Sequence, residues 1–494
     1  MTKKRLSDKI RFSIVYQDQT RFGSAITSQC DVTLREYCSE ILAYRDRYGL
    51  QQTIAVAPEL IAQSLIMGNL SELYTSDGEL SADWLYPDPR AVQPRLLRLE
   101  RDLGETITEI DLPAALWSDL ASYLGEWELG ADQPVDSIAI ELWNALEGCA
   151  GLVDDDAPAG DSNQVGVRFV GHATLQISDG DQQIIFDPFI LPKSALLPID
   201  CQPLSMRDLG KLAAIFITHS HPDHFDLGTL LRVGADTPIF LPEVDRESVL
   251  TVDMSARLCQ LGFRQVHTLK PFTEQTIGKI RVIALPFYGE QPTIGEVLHP
   301  EVRNQGNTYL IELDDLRIAL TADSGTDCTG NIQSLAIEAC QKYGSIDLLF
   351  GGCRGFGMYP IQYLFSSVAR YLPFVPAQLW RARQQIMCDP DDAIDVAELW
   401  GARYISPYAD GGAPWYWYRG LGPTLDGTEV HVMAVDPTPE YVGEVLARRT
   451  GTRRDGSIAS PVSMCLLRPN DRLTWQNNSP QIDRQSTWKY CTGS

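Results

Sequence analysis

Apolar residues recur along this chain with two different periods. Before residue 150 they return every fourth position, at Leu112, Leu116, Leu120 and Leu124, and again at Ile138, Leu142 and Leu146. That spacing predicts helices over 112–124 and 138–146, the second capped by Asp136 and Ser137. From residue 165 the pattern changes to short, nearly unbroken apolar runs bounded by Gly, Pro, Asp and Ser, as expected of strands buried on both faces. Such runs cover 165–177 and 183–186, joined by a turn at 178–181, then 215–217, 238–241, 280–287, 346–352 and 402–411. Residues 307–322 read as a hairpin turning at Asp314 and Asp315. Helices are expected over 225–231 and 387–393, the latter with Asp389 as N-cap, Pro390 in its first turn and Asp391 and Asp392 favouring the positive helix end. Residues 154–164 are acidic, small and polar, cannot pack, and read as a linker.

The run Ile215, Phe216, Ile217 leads straight into Thr218, His219, Ser220, His221, Pro222, Asp223, His224. Side chains two apart at a strand end point the same way, so His219 and His221 can close on one metal ion. Asp223 and His224, expected to open the next helix, face a second. This H-x-H-x-D-H spacing resembles the metallo-β-lactamase superfamily. The resemblance implies an αββα sandwich of α/β class over residues 165–423. It leaves a separate mixed or helical N-terminal domain at 1–153 and a C-terminal extension at 424–494 packed on the metal domain. Residues 141–153 look like the last helix of a winged-helix module, which suits an interaction or dimerisation role, and a homodimer is expected.

Gly171, His172, Ala173 and Thr174, followed by Asp187 and Pro188, resemble the ascorbate-phosphate lactonase and N-acyl-phosphatidylethanolamine phospholipase branches. By that resemblance His172 and Asp187 lie under the metals, Asp187 fixing the tautomer of a ligand histidine. A direct ligand role for His172 is not expected, because the main motif already fills those places. Asp323, in the phrase Thr321, Ala322, Asp323, Ser324, Gly325, matches the carboxylate that bridges the two metals.

Two departures from the hydrolase pattern follow. Where hydrolases carry the third histidine of the first metal, this chain has Gly289 or Glu290, with His299 as a competing candidate. Where they carry their last histidine, Ala409 falls in register with Asp410 beside it, making Asp410 a candidate ligand of the second metal. Glu290 with His219 and His221 forms two imidazoles and one carboxylate, a set zinc accepts and oxygen-activating iron enzymes also use. More oxygen and less nitrogen shifts preference toward iron or manganese. Glu290 and Asp323 are thus the expected catalytic residues. Trp415 and Trp417 are candidates to wall a substrate pocket.

Composition narrows the function. A formal charge of -24 opposes binding of nucleic acid, which is held by Lys and Arg. The 11 cysteines are scattered without C-x-x-C pairs, which predicts free thiols in a reducing, cytoplasmic setting. No apolar run reaches membrane-spanning length. The N-terminal domain and the Glu290 substitution together resemble the di-iron β-hydroxylase family of chloramphenicol biosynthesis. That resemblance implies a monooxygenase with two iron ions acting on an amino acid or peptide held by a carrier protein. With no flavin-binding phrase in the chain, electrons would come from an external reductase. The alternative is a dinuclear hydrolase of an ester, lactone, amide or phosphodiester, holding two zinc or manganese ions.

Overall fold

The computed structural model describes residues 3–18, 92–102, 104–155, 164–199, 201–289, 302–354, 387–409, 414–417, 439–449 and 462–485, with isolated positions elsewhere. Glu290, His299 and Asp410, and the side chain of Trp417, lie outside the described residues.

The N-terminal part holds β1 (Lys4–Leu6), β2 (Arg11–Asp18), β3 (Val92–Arg101), β4 (Glu105–Asp111) and β5 (Leu152–Asp154). Next come β6 (Gly166–Gly171), β7 (Thr174–Ser178), β8 (Gln183–Phe186), β9 (Ala214–Phe216), β10 (Ile239–Pro242) and β11 (Val266–Leu269). The second half holds β12 (Glu274–Ile277), β13 (Ile280–Pro286), β14 (Asn307–Leu313), β15 (Leu316–Leu320), the ribbon β16 (Thr326–Asp327) and β17 (Gly330–Asn331), and β18 (Leu348–Gly352). A short ribbon, β19 (Gly357–Met358) and β20 (Gln384–Gln385), precedes β21 (Tyr404–Tyr408), β22 (Ser463–Met464), β23 (Arg472–Gln476) and β24 (Ser479–Asp483).

Two sheets face each other, ordered β11-β10-β9-β8-β7-β6-β23-β24 and β12-β13-β14-β15-β18-β21-β22. Strand alternation sorts every apolar run between two cores. Ala214 and Phe216 join Ile184, Phe186, Val282, Ala284, Tyr309 and Ile318 between the sheets. Ile215 and Ile217 point the other way, into a core shared with Leu6, Phe12, Leu97, Leu120, Leu124 and Leu230. On the far side, Ile283 and Leu285 meet Leu335, Ile394, Ala397 and Val445 from helices Ile332–Tyr343, Pro390–Leu399 and Pro439–Arg449. Burial on both faces explains why the sequence shows runs here and not alternation. This is the expected αββα sandwich, with a separate N-terminal region whose three-stranded sheet β2-β3-β4 has its own pairing.

Local expectations fared unevenly. Asp389 caps helix Pro390–Leu399 in a reciprocal box with Asp392, and the 307–322 hairpin turns at Asp314 with φ 50°. The helix expected over 112–124 is two, Ala114–Trp117 and Leu120–Glu128, because Asp119 leaves helical geometry at φ -119°. Asp223 and His224 sit in a turn and not on a helix; helix Leu227–Leu230 starts only after Asp226 caps it. The run 165–177 is interrupted at His172, where the chain doubles back from β6 to β7. The C-terminal extension carries helix Pro439–Arg449, while β22 and β23 join the two main sheets. Cys149, Cys259, Cys340, Cys388 and Cys465 are free thiols.

Candidate metal centre

The candidate ligands gather at one end of the sandwich, where β9 and β15 and the β6–β7 corner terminate. Four non-glycine residues there adopt left-handed backbone: His172 (φ 51°), Asp187 (φ 41°), Ala322 (φ 47°) and Ala409 (φ 59°). Each such residue costs about 1 kcal/mol or more, and clustering of this kind marks sites where the fold holds side chains against local preference.

The loop after β9 is fixed from three directions. Tyr309 donates its hydroxyl to the Ile217 carbonyl at 2.6 Å, and the Asn307 amide donates to the Thr218 carbonyl at 2.8 Å. From β8, Asp187 accepts from the Thr218 amide at 2.7 Å and from its hydroxyl at 2.6 Å, and its Oδ2 lies 2.8 Å from His224 Nδ1. Asp187 is fully buried, so its carboxylate is satisfied by these groups. A carboxylate on Nδ1 leaves the lone pair of His224 on Nε2, directed away from Asp187.

Two triplets of ligand atoms result. His219, His221 and Asp323 form one, and His172, Asp223 and His224 the other, with the atoms of each triplet within 4.8 Å of one another. Asp323 Oδ2 stands 4.0 Å from His219 Nε2 and 3.3 Å from His224 Nε2, so one carboxylate reaches both. His172 Nε2 is 3.0 Å from Asp223 Oδ2. The His219 ring stacks on Phe287 with centroids 5.1 Å apart.

Electrostatics favour a cation here. Burial pushes the His224 imidazole down, yet Asp323, Asp187 and Asp223 together raise it well above its ordinary value. Burial likewise pushes Asp223 up, but His224 and His172 hold its carboxyl well below the usual carboxylate range. Carboxylates crowded on buried imidazoles call for positive charge between them. His224 Nε2 and Asp323 Oδ1 are buried without a hydrogen-bond partner among the described residues. Buried polar atoms without a partner fit metal coordination and would otherwise be costly.

Residues 166–355 match the family model of the beta-lactamase superfamily domain. This chain carries a metallo-β-lactamase-fold domain. The chain is 26% identical over 204 residues to the 4-amino-L-phenylalanyl-[CmlP-peptidyl-carrier-protein] 3-hydroxylase of Streptomyces venezuelae. That match covers 41% of this chain and 36% of the relative, so the chain spans about a third of that protein's length in the match. A UPF0173 metal-dependent hydrolase of Natranaerobius thermophilus is 34% identical over 77 residues, 15% of this chain and 30% of that one. In fold, the chain resembles the crystal structure of CmlA, a diiron beta-hydroxylase from Streptomyces venezuelae, at TM-score 0.60 and 16% identity, covering 94% of this chain and 98% of that one.

The metallo-β-lactamase-fold domain thus brings together His219, His221, Asp223, His224 and Asp323, with Asp187 behind His224. His172, expected beneath the metals, stands level with Asp223 and His224. At the end of β13 the register is narrowed by packing: a Cβ on Gly289 would lie 2.9 Å from the Gly325 amide nitrogen, at φ 102°. No side chain fits at 289. Trp415 is enclosed with Phe189, Leu191 and Leu197, and the next ring, Tyr416, reaches His172 with centroids 5.5 Å apart. Sequence reasoning missed Asn304, fully buried, whose Nδ2 lies 3.4 Å from His221 Nε2. Nothing in its local pattern marks it. Among the described residues no helix is long and apolar enough to cross a membrane.

Proposed function

We propose that this protein is a non-haem di-iron oxygenase that hydroxylates an amino acid or peptidyl substrate presented by a carrier protein, with electrons from a separate reductase. The observation that carries this reading is the fold likeness to a diiron β-hydroxylase, which extends along 94% of the chain, beyond the metal domain into the N-terminal region. The hydroxylase similar to this chain over 204 residues is named for a carrier-protein-bound amino acid, and that substrate class is the one we assign.

His299 is the competing candidate for the ligand that completes the His219 and His221 set, and we assign that place to Glu290. That makes a two-histidine, one-carboxylate set of the kind used by oxygen-activating iron. Bound in pairs, iron ions would supply oxygen-dependent hydroxylation of a C–H bond. The chain's part would be to present the imidazoles of His219, His221 and His224 as ligands, to offer Asp323 within reach of both histidine sets, and to orient His224 through Asp187. Asp410 belongs to the same proposal as an added oxygen ligand on the His224 side. The hydrolase reading is favoured by the similarity to a metal-dependent hydrolase and would need the same ligands around two zinc or manganese ions.

Elemental analysis of the purified protein, with absorption spectra before and after anaerobic reduction and readmission of air, decides between them. Two irons per chain and a band that bleaches and returns with oxygen are expected. Two zincs without an oxygen response would establish the hydrolase reading, and fewer than two metals would end both. In the same assay Glu290→Ala should lose one metal; retention of both would remove Glu290 from the ligand set.

A further inference from the structure

We propose that His172 is itself a metal ligand, supplying the second imidazole on the His224 side of the centre. This rests on the dinuclear metal reading above, and is independent of which reaction the metals serve.

The geometry treats the two triplets alike. His172 Nε2 converges with a ring nitrogen of His224 and a carboxylate oxygen of Asp223 within 4.8 Å, as His219, His221 and Asp323 converge on the other side. The 3.0 Å contact between His172 Nε2 and Asp223 Oδ2 points a ring nitrogen and a carboxylate at the same spot. A cation there takes a lone pair from each and replaces the proton they share.

The ring is also held as a ligand must be. It is fully buried between Tyr416, Phe189 and His224, at centroid distances of 5.5, 6.2 and 5.7 Å. Its backbone is forced to φ 51° at the β6–β7 corner. Gly171 makes the corner possible, because a Cβ there would lie 2.9 Å from the Tyr416 ring. The His172 carbonyl accepts from the Ala409 amide at 2.9 Å, tying the corner to the end of β21. Ala409 is buried and presents only a methyl group. The imidazole on this flank of the centre therefore comes from the β6–β7 corner. Placing a histidine in a strained backbone state, walled by aromatic rings, is costly for a residue with only a packing role.

Metal content after equilibrium dialysis tests this without any turnover assay. Wild type should bind two ions, while His172→Ala should bind one tightly and the second at least 100-fold more weakly. His172→Gln separates a ligand from a mere hydrogen-bond partner of Asp223, since its amide N–H can still donate to that carboxylate. If His172 is a ligand, Gln does not restore the second ion; full restoration by Gln, or two tight ions in the Ala variant, overturns the proposal. The single ion that each variant retains shows that it has folded. Should the variants fail to fold, wild type loaded with NMR-active cadmium and carrying nitrogen-labelled histidine gives the answer. The signal assigned to the His172 ring is expected to be split by the metal nucleus, and an unsplit signal overturns the ligand role. Fewer than two ions in wild type would instead defeat the dinuclear reading itself.

Discussion

At the scale of single residues, Asp187 is the group on which the metal centre turns. It touches no candidate metal position, yet it receives the Thr218 amide, the Thr218 hydroxyl and the His224 ring nitrogen at once. Removing its charge while keeping its shape should loosen the orientation and basicity of His224, which it contacts directly, more than those of His219, which it reaches only through the Thr218 hydroxyl. Asp187→Asn is expected to weaken binding of one of the two metals by roughly 10- to 100-fold, the usual loss when such a supporting partner is changed. Chelator competition measures this, and unchanged affinity for both metals would show that His224 is oriented by other contacts. Asp187 was legible in the sequence as a supporting group through the resemblance carried by Gly171 to Thr174 and the Asp187, Pro188 pair. Which histidine it supports was not, because His224 is 37 positions away and only the adjacency of β8 and β9 brings them together.

At the scale of elements, the two sheets are linked at the turn between β7 and β8. Asp179 accepts there from the amides of Asp181 at 2.8 Å and Gln182 at 2.7 Å, closing its own turn. Its other oxygen accepts from the Lys279 amide at 2.7 Å, in the turn between β12 and β13 of the opposite sheet. Burial acts to raise its carboxyl, but the Lys279, Gln182 and Asp181 amides outweigh that and hold it below the ordinary value of 3.8. The folded state therefore holds this proton less tightly than the unfolded chain. Its stabilisation is complete above the ordinary value and is lost as pH falls through the lower folded value. Thermal midpoints measured across acid pH should fall more steeply for wild type than for Asp179→Asn, which is less stable at neutral pH and lacks this titration. Parallel curves would remove Asp179 as the link. The turn itself was expected from Ser178, Gly180 and Asp181, but its contact with the other sheet depends on how the sheets stack.

At the scale of the whole molecule, the N-terminal region and the metal domain fold around a common core. Leu6, Phe12, Leu97 and Leu120 pack with Ile185, Ile215 and Ile217 from the sheet that carries the ligand loop. Arg11 reinforces this, with Nη2 2.6 Å from Asp226 Oδ1 and Nη1 3.0 Å from Glu100 Oε2, all nearly buried. Asp226 also caps helix Leu227–Leu230, two residues past His224. Removing Arg11 breaks its buried pair with Asp226, a change that typically costs about 3–5 kcal/mol. Arg11→Met should lower the unfolding free energy by about that amount and weaken metal retention together with it. Loss of stability without any change in metal binding would show that the two parts are energetically independent.

The sequence by itself determined the strand runs, the capping of helix Pro390–Leu399 and the ligand loop from His219 to His224, because each is written in neighbouring residues and their period. It also marked Asp323 and Asp187 as strand-end carboxylates. Tertiary structure alone decided that the 165–177 run breaks at His172, that this ring meets Asp223 51 positions later, and that no side chain fits at Gly289 beside Gly325. Those outcomes depend on contacts between segments distant in the chain, where the position of one backbone sets the space left for another. Local pattern carries no record of that space.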